Sequence, residues 1–142
     1  HQREDLINER YRQDLNEVLA QAESAETITF SHWAKANEVI ELTEQEKLDF
    51  LSPYSIWTAD YAQKRLHWKP RYPLSIMLLR LYRLEEPKTV PYLPSYGGCK
   101  SWVRLSKAVP LGILTPVLTD EQFHLRVAEV KAALGIQAHA LN

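Results

Sequence analysis

Residues 92–103, YLPSYGGCKSWV, hold two of the chain's four glycines, its single cysteine and one of its four tryptophans. Two assignments suit such a cluster. A glycine-rich turn lets backbone amides approach an anion, with Lys100 adding charge and Trp102 a face on which a base or sugar stacks. The structural alternative makes Gly97-Gly98 a hairpin turn feeding a strand that buries Cys99 and Trp102. The spacing does not fit a phosphate-binding loop of the Walker A kind, and the turn is the simpler assignment. As a nucleophile, Cys99 would need a base such as His32, His67 or His124 and positive charge to lower its pKa. Lys100 adjoins it in sequence, but successive strand residues point to opposite faces.

The sequence has no Cys-x-x-Cys, no His-Glu-x-x-His and no histidine pair at helical spacing, so no metal and no other cofactor is expected. His32 falls on the apolar side of a predicted strand, where a hydrogen-bonded core histidine is the ordinary occupant. A restriction-type nuclease needs an Asp, then Glu-x-Lys at a strand end, to hold Mg²⁺ on hard oxygens beside a lysine. Glu86-Pro87-Lys88 and Glu129-Val130-Lys131 fit that short pattern. The first lies in a predicted turn and the second on a predicted helix, as chance would place them.

Residues 64–72, KRLHWKPRY, interleave cations with aromatics, which suits a phosphate backbone and stacked bases. The structural counterpart is a helix C-terminus whose cations complement the dipole and whose Trp68 covers a core edge. If this segment meets Lys100 and Arg104 in space, Lys64, Arg65, Lys69 and Arg71 join them in one patch. The rest of the protein is near neutral, with a formal net charge of -1. The expected function is therefore a non-enzymatic binding or interaction module. Its surface would be Lys64, Arg65, Lys69, Arg71, Lys100 and Trp102, and its ligand nucleic acid or a phosphorylated ligand. The enzymatic alternative is a nuclease-like or cysteine-dependent hydrolase. A third option is docking onto a protein, or self-association, through the N-terminal helix.

Those side chains must be held by a scaffold. At 142 residues, 45% hydrophobic and 25% charged, the chain fits one globular domain. The net charge sets up no global field toward nucleic acid or membranes. One cysteine makes no internal disulfide, which fits a reducing cytoplasm. The apolar run over residues 74–84 contains two arginines and falls short of the ~20 residues of a membrane helix, so no membrane partner is expected.

Residues 2–25 lack Pro and Gly, and Ile7, Tyr11, Leu15, Val18 and Ala22 recur at helical spacing, which predicts one long amphipathic helix. Ile28, Phe30, His32 and Ala34 alternate with polar residues and Trp33 as in a strand, with a bend at residues 35–37 and extension to Leu42. Thr43 and Glu46 form a capping-box pattern for a short helix that should stop before Pro53. A second helix runs toward Pro70 with Thr58 as N-cap and Trp57, Tyr61 and Leu66 inward. Residues 74–84 are apolar on both faces, as in a central strand covered on both sides, with Arg80 and Arg83 on opposite faces. Residues 85–88 read as a turn, 89–94 as an edge strand and 100–105 as a further strand. Residues 108–116 form a proline-punctuated loop. Thr119 and Gln122 start a last helix with Phe123, Val127, Val130 and Leu134 as its stripe and Gly135 as its stop. The expected fold is α+β: a small, mainly antiparallel sheet with N- and C-terminal helices and a central helical insertion.

Residues 55–105 resemble the C-terminal half of the DUF1802 family of bacterial and archaeal proteins. The resemblance rests on Ile56-Trp57, Trp68-Lys69-Pro70, the run from Arg80 to Leu84, and Tyr96 through Val103. His1-Gln2 is similar to the end of that family's Pro-Thr-x-x-His-Gln motif, and FSHWAKANEVIEL matches its middle strand more loosely. The resemblance implies that the chain is one domain from a longer protein, and it implies no function.

Overall fold

The computed structural model describes residues 4–22, 26–68, 72–98 and 102–136. The architecture is α+β. Strands β1 (Thr27–Leu42), β2 (Leu74–Pro91) and β3 (Leu114–Pro116) form an antiparallel sheet in that order. Helix α1 (Arg12–Ala22) precedes β1, α2 (Ala59–Trp68) lies between β1 and β2, and α3 (Asp120–Ala133) follows β3; short 3₁₀ turns precede α1 and α2 and follow β2.

The core lies on one face of the sheet. Ile40 and Leu42 from β1 and Leu78 from β2 pack with Leu48 and Leu51 from the 3₁₀ turns, Leu66 from α2, and Val130 and Leu134 at the end of α3. Leu134 is fully buried. The α3 stripe and signals match expectation. Thr119 Oγ1 accepts from the Gln122 N–H while Gln122 Oε1 accepts from the Thr119 N–H, closing the capping box. Gly135 ends the helix at φ +68, a conformation that favours glycine.

Among the described residues no element covers the second face of β2. Met77, Leu79 and Leu81 are each more than 40% exposed, as is Val39 across the ladder. The apolar run thus faces protein on one side only, which corrects the expectation of a strand covered on both sides.

Strand β1 keeps its apolar residues on the core side by changing phase. Ala36 pairs with Leu79 and Glu38 with Leu78, leaving Asn37 unopposed. This bulge lies within the predicted bend. Before it, Trp33 and Lys35 oppose Tyr82 and Arg80 on the core side; after it, Ile40 and Leu42 oppose Ile76 and Leu74 there. A one-residue slip exchanges strand faces, so without Asn37 both buried aliphatics would point outward. A wider irregularity sets Ser31 opposite residues 84–87, between the Phe30–Lys88 and His32–Arg83 pairs. The predicted turn at residues 85–88 is thus a bulge inside one long strand. His32 and Ala34 consequently sit exposed, while Ile28, Phe30 and Trp33 are half-buried.

Other expectations fail for physical reasons. Residues 4–22 do not form one helix. Asn8 adopts φ -53, ψ 135, and its side chain donates to Ser55 O (2.8 Å) and Trp57 O (3.1 Å). Main-chain bonds from Asn8 N–H to Ile56 O and Thr58 N–H to Leu6 O complete a short bridge across Ile7 and Trp57. The predicted box at Thr43 does not form either. Glu44 precedes a 3₁₀ turn without a side-chain cap bond and instead pairs with Lys47 at 2.7 Å. The next 3₁₀ segment, Asp49–Tyr54, runs through Pro53. Residues 102–105 form no strand, and the third strand comes from the predicted loop at Leu114–Pro116.

Candidate functional site: an apolar groove beside the free edge of β2

A groove of about 670 Å³ opens between β2, the Asp49–Tyr54 turn, α2 and α3. That volume is in the usual range for a ligand site, about 300–1,000 Å³. Leu74, Ile76 and Leu78 contribute from β2, Trp57 and Tyr61 from the α2 side, and Phe123 and Val127 from α3. Trp57 is held by the Asn8 bridge, and its ring lies 4.6 Å from that of Tyr61, tilted by 32°. Thr58 Oγ1 accepts from the Tyr61 N–H at 3.4 Å, the expected cap of α2. Trp57, expected inward, remains 41% exposed and is free to meet a ligand.

Two cations line this groove, Arg65 from α2 and Arg126 from α3, and no carboxylate lines it among the described residues. Arg126 is paired with Glu129 at 2.9 Å. Arg65 has no ion pair or hydrogen bond among the described residues and is exposed. An unpaired guanidinium beside apolar and aromatic walls suits a carboxylate or phosphate, which it can hold by two parallel hydrogen bonds.

Of the residues expected to make one basic-aromatic surface, Lys64 and Arg65 lie exposed on α2. Trp102 is 77% exposed, so the expectation that it is buried in a strand is overturned. Lys69, Arg71 and Lys100 lie outside the described residues, as does Cys99. Gly98 has φ +93, as a turn glycine does. A Cβ on Gly97 would approach Tyr92 Oη to 2.9 Å, so the chain at this turn is close to the Tyr92 ring. Nearby, the Ser106 hydroxyl and N–H lie 3.0 and 2.9 Å from the Tyr96 phenol oxygen, and they lower its pKa from 10.0.

Among the described residues the acid–lysine pairs and the histidines have other partners or stand apart, while Cys99 lies outside the described residues. Lys88 pairs with Glu86 at 3.0 Å, Lys131 with Glu38 at 2.8 Å, and Glu129 with Arg126. His32 contacts Ser31 Oγ and His67 contacts Gln45 Oε1, both at 2.9 Å, and His124 is exposed beside Phe123. Among the described residues no three His, Cys, Asp or Glu side chains gather as a metal site would require. No helix among them is long and apolar enough to cross a membrane.

Sequence reasoning missed Arg80, which is 5% exposed. Its guanidinium donates to Thr119 O at 3.1 Å and Asp120 Oδ1 at 2.8 Å and lies 4.6 Å above the Phe123 ring. It thereby ties β2 to the start of α3, the wall carrying Arg126. A charge inside an otherwise apolar run was the available signal.

No curated protein and no solved structure matches the chain. A family model, described as a domain of unknown function, matches residues 1–129, well beyond the block whose motifs carry the resemblance. By that match the chain belongs to the DUF1802 family.

Proposed function

We propose that this chain is a binding module whose groove takes an anionic ligand with an apolar body, foremost a phosphorylated ligand. The observation that carries this is Arg65, a cation with no ion pair among the described residues, on the wall of an apolar groove with no carboxylate among its described lining. Aromatic rings at Trp57 and Tyr61 supply area for the ligand body, and Arg65 fixes its charged end. Lys64, exposed on the same helix, adds to the positive potential of α2.

Thermal unfolding with phenyl phosphate as probe tests the reading. A ligand that binds only the folded chain raises its stability by RT ln(1 + [L]/Kd). Phenyl phosphate should raise the midpoint of the wild type and not that of Arg65→Gln. Equal shifts in both proteins would refute the assignment.

Nucleic acid is the second reading, favoured by the exposed Trp102 face and the exposed cations Lys64 and Arg65. Lys69, Arg71 and Lys100, the other cations of this reading, lie outside the described residues. Affinity for single-stranded DNA should then fall steeply with salt, because each neutralised phosphate releases counterions. A flat salt response removes this reading.

A further inference from the structure

Strand β2 has an edge that the sheet leaves open. The Val117 N–H donates to Leu81 O and the Glu85 N–H to Ile113 O, so odd-numbered residues of β2 aim their main-chain groups at the β3 side. Yet β3 pairs only with residues 82–84. Between Leu74 and Leu81 β2 runs without a register shift of its own, so Ser75, Met77 and Leu79 present N–H and C=O groups along the same edge. Among the described residues these groups have no partner. All three residues line the groove.

An extended chain laid there would find main-chain partners on one flank. Its side chains would alternate between the two faces of the sheet. One set enters the groove against Trp57, Leu118 and Val127, and the other lies beside the exposed Met77 and Leu79. Both faces therefore reward apolar residues, while Arg65 calls for a negative charge. Adding a strand to an open edge, with pockets reading alternate side chains, is an established mode of peptide recognition.

We infer that the groove receives an extended acidic peptide from a partner protein, which pairs with β2 along residues 75–79 and sets one anionic side chain against Arg65. This rests on the groove reading above and names its occupant.

Proline at Met77 deletes an N–H that points to the open edge, while the ladder to β1 uses the even-numbered residues. Prolines are tolerated on edges of this kind. The probe is a displayed library of random nine-residue peptides, selected on the wild-type chain. Enriched peptides should alternate apolar residues and carry an acid. Their synthetic forms should bind Met77→Pro about tenfold more weakly or worse, as expected for one lost hydrogen bond with disturbed neighbours. Met77→Ala, which keeps the N–H and loses only side-chain contact, should weaken binding clearly less than Met77→Pro does. Exchanging the acid for Gln should weaken binding to the wild type and leave binding to Arg65→Gln unchanged. Exchanging it for phosphoserine shows whether a carboxylate or a phosphate is preferred.

If Met77→Pro does not fold, N-methylation of the peptide carries the test. Methylation at one set of alternate positions should abolish binding, and at the other set should leave it intact. Equal binding to folded Met77→Pro, or indifference to N-methylation, overturns the inference. So does a wild type that yields no peptides and dimerises where Met77→Pro stays monomeric, since the edge then belongs to a second copy. Phenyl phosphate separates the two failures. If it stabilises the wild type while no peptide binds, the strand is wrong and the groove survives. If neither acts, both fall.

Discussion

Leu78 and Leu79 are neighbours in β2, yet Leu78 is 9% exposed within the core built from α2 and α3, whereas Leu79 is 41% exposed on the opposite face. The same holds for the two arginines. Arg80 is buried and bonded to the start of α3, while Arg83, three residues on, is exposed across from His32. One face of the strand carries the packing and the other carries Met77, Leu79, Leu81 and Val39 to solvent. Apolar composition on both faces thus did not decide coverage; the placement of the helices did. A contiguous exposed apolar face of this kind usually marks a surface with a partner.

Truncation should break the symmetry of the two leucines most sharply. Leu78→Ala removes core contacts and leaves a cavity, at a cost of about 2–5 kcal/mol. Leu79→Ala should cost roughly 0.5 kcal/mol or less, as surface substitutions do. Urea unfolding of both variants measures the pair, and equal losses would mean that the open face is packed in solution.

The arginines give the next largest difference. Arg80→Ala removes two hydrogen bonds made by a charged donor and the packing over Phe123, and should cost about 1.5–3 kcal/mol. Arg83→Ala should fall within about 0.5 kcal/mol of wild type. Because Asp120 is solvent-exposed, losing Arg80 strands no buried carboxylate, which keeps the expected loss below that of Leu78→Ala.

How legible this was in the sequence depended on how local each signal was. The α3 stripe, its capping box and Gly135 lie within one helix, and all were readable. The phase switch at Asn37 was readable only as a bend, because a bulge is defined by the strand opposite. The first helix was over-read, since helical propensity at Asn8 yields to bonds with a segment 47 and 49 residues away. The third strand hid in a proline-punctuated loop, because pairing of Leu114 with Leu84 follows from tertiary position. Of the groove, Arg65 was legible as a surface cation, and it is exposed on α2. The groove itself was not legible, because the walls come from segments spread between residues 48 and 130.

The smallest effect is the most telling about the open face. Leu79→Lys with Leu81→Lys places two charges on that face, each across the ladder from a small alanine, Ala36 and Ala34. Long lysine stems lie along an apolar surface while their charges reach water. If the face is free in the isolated chain, unfolding should move by about 1 kcal/mol or less, and binding of a hydrophobic dye should drop. If a second copy covers the face, the same pair buries two unpaired charges at that contact, and dimers seen by sedimentation should become monomers. Leu79 also lines the groove, so the phenyl phosphate response is read from Leu81→Lys alone; Arg65 stands on the other side of the sheet from Leu81, and the response should stay as in the wild type. A change there would mean that the two faces of β2 are coupled.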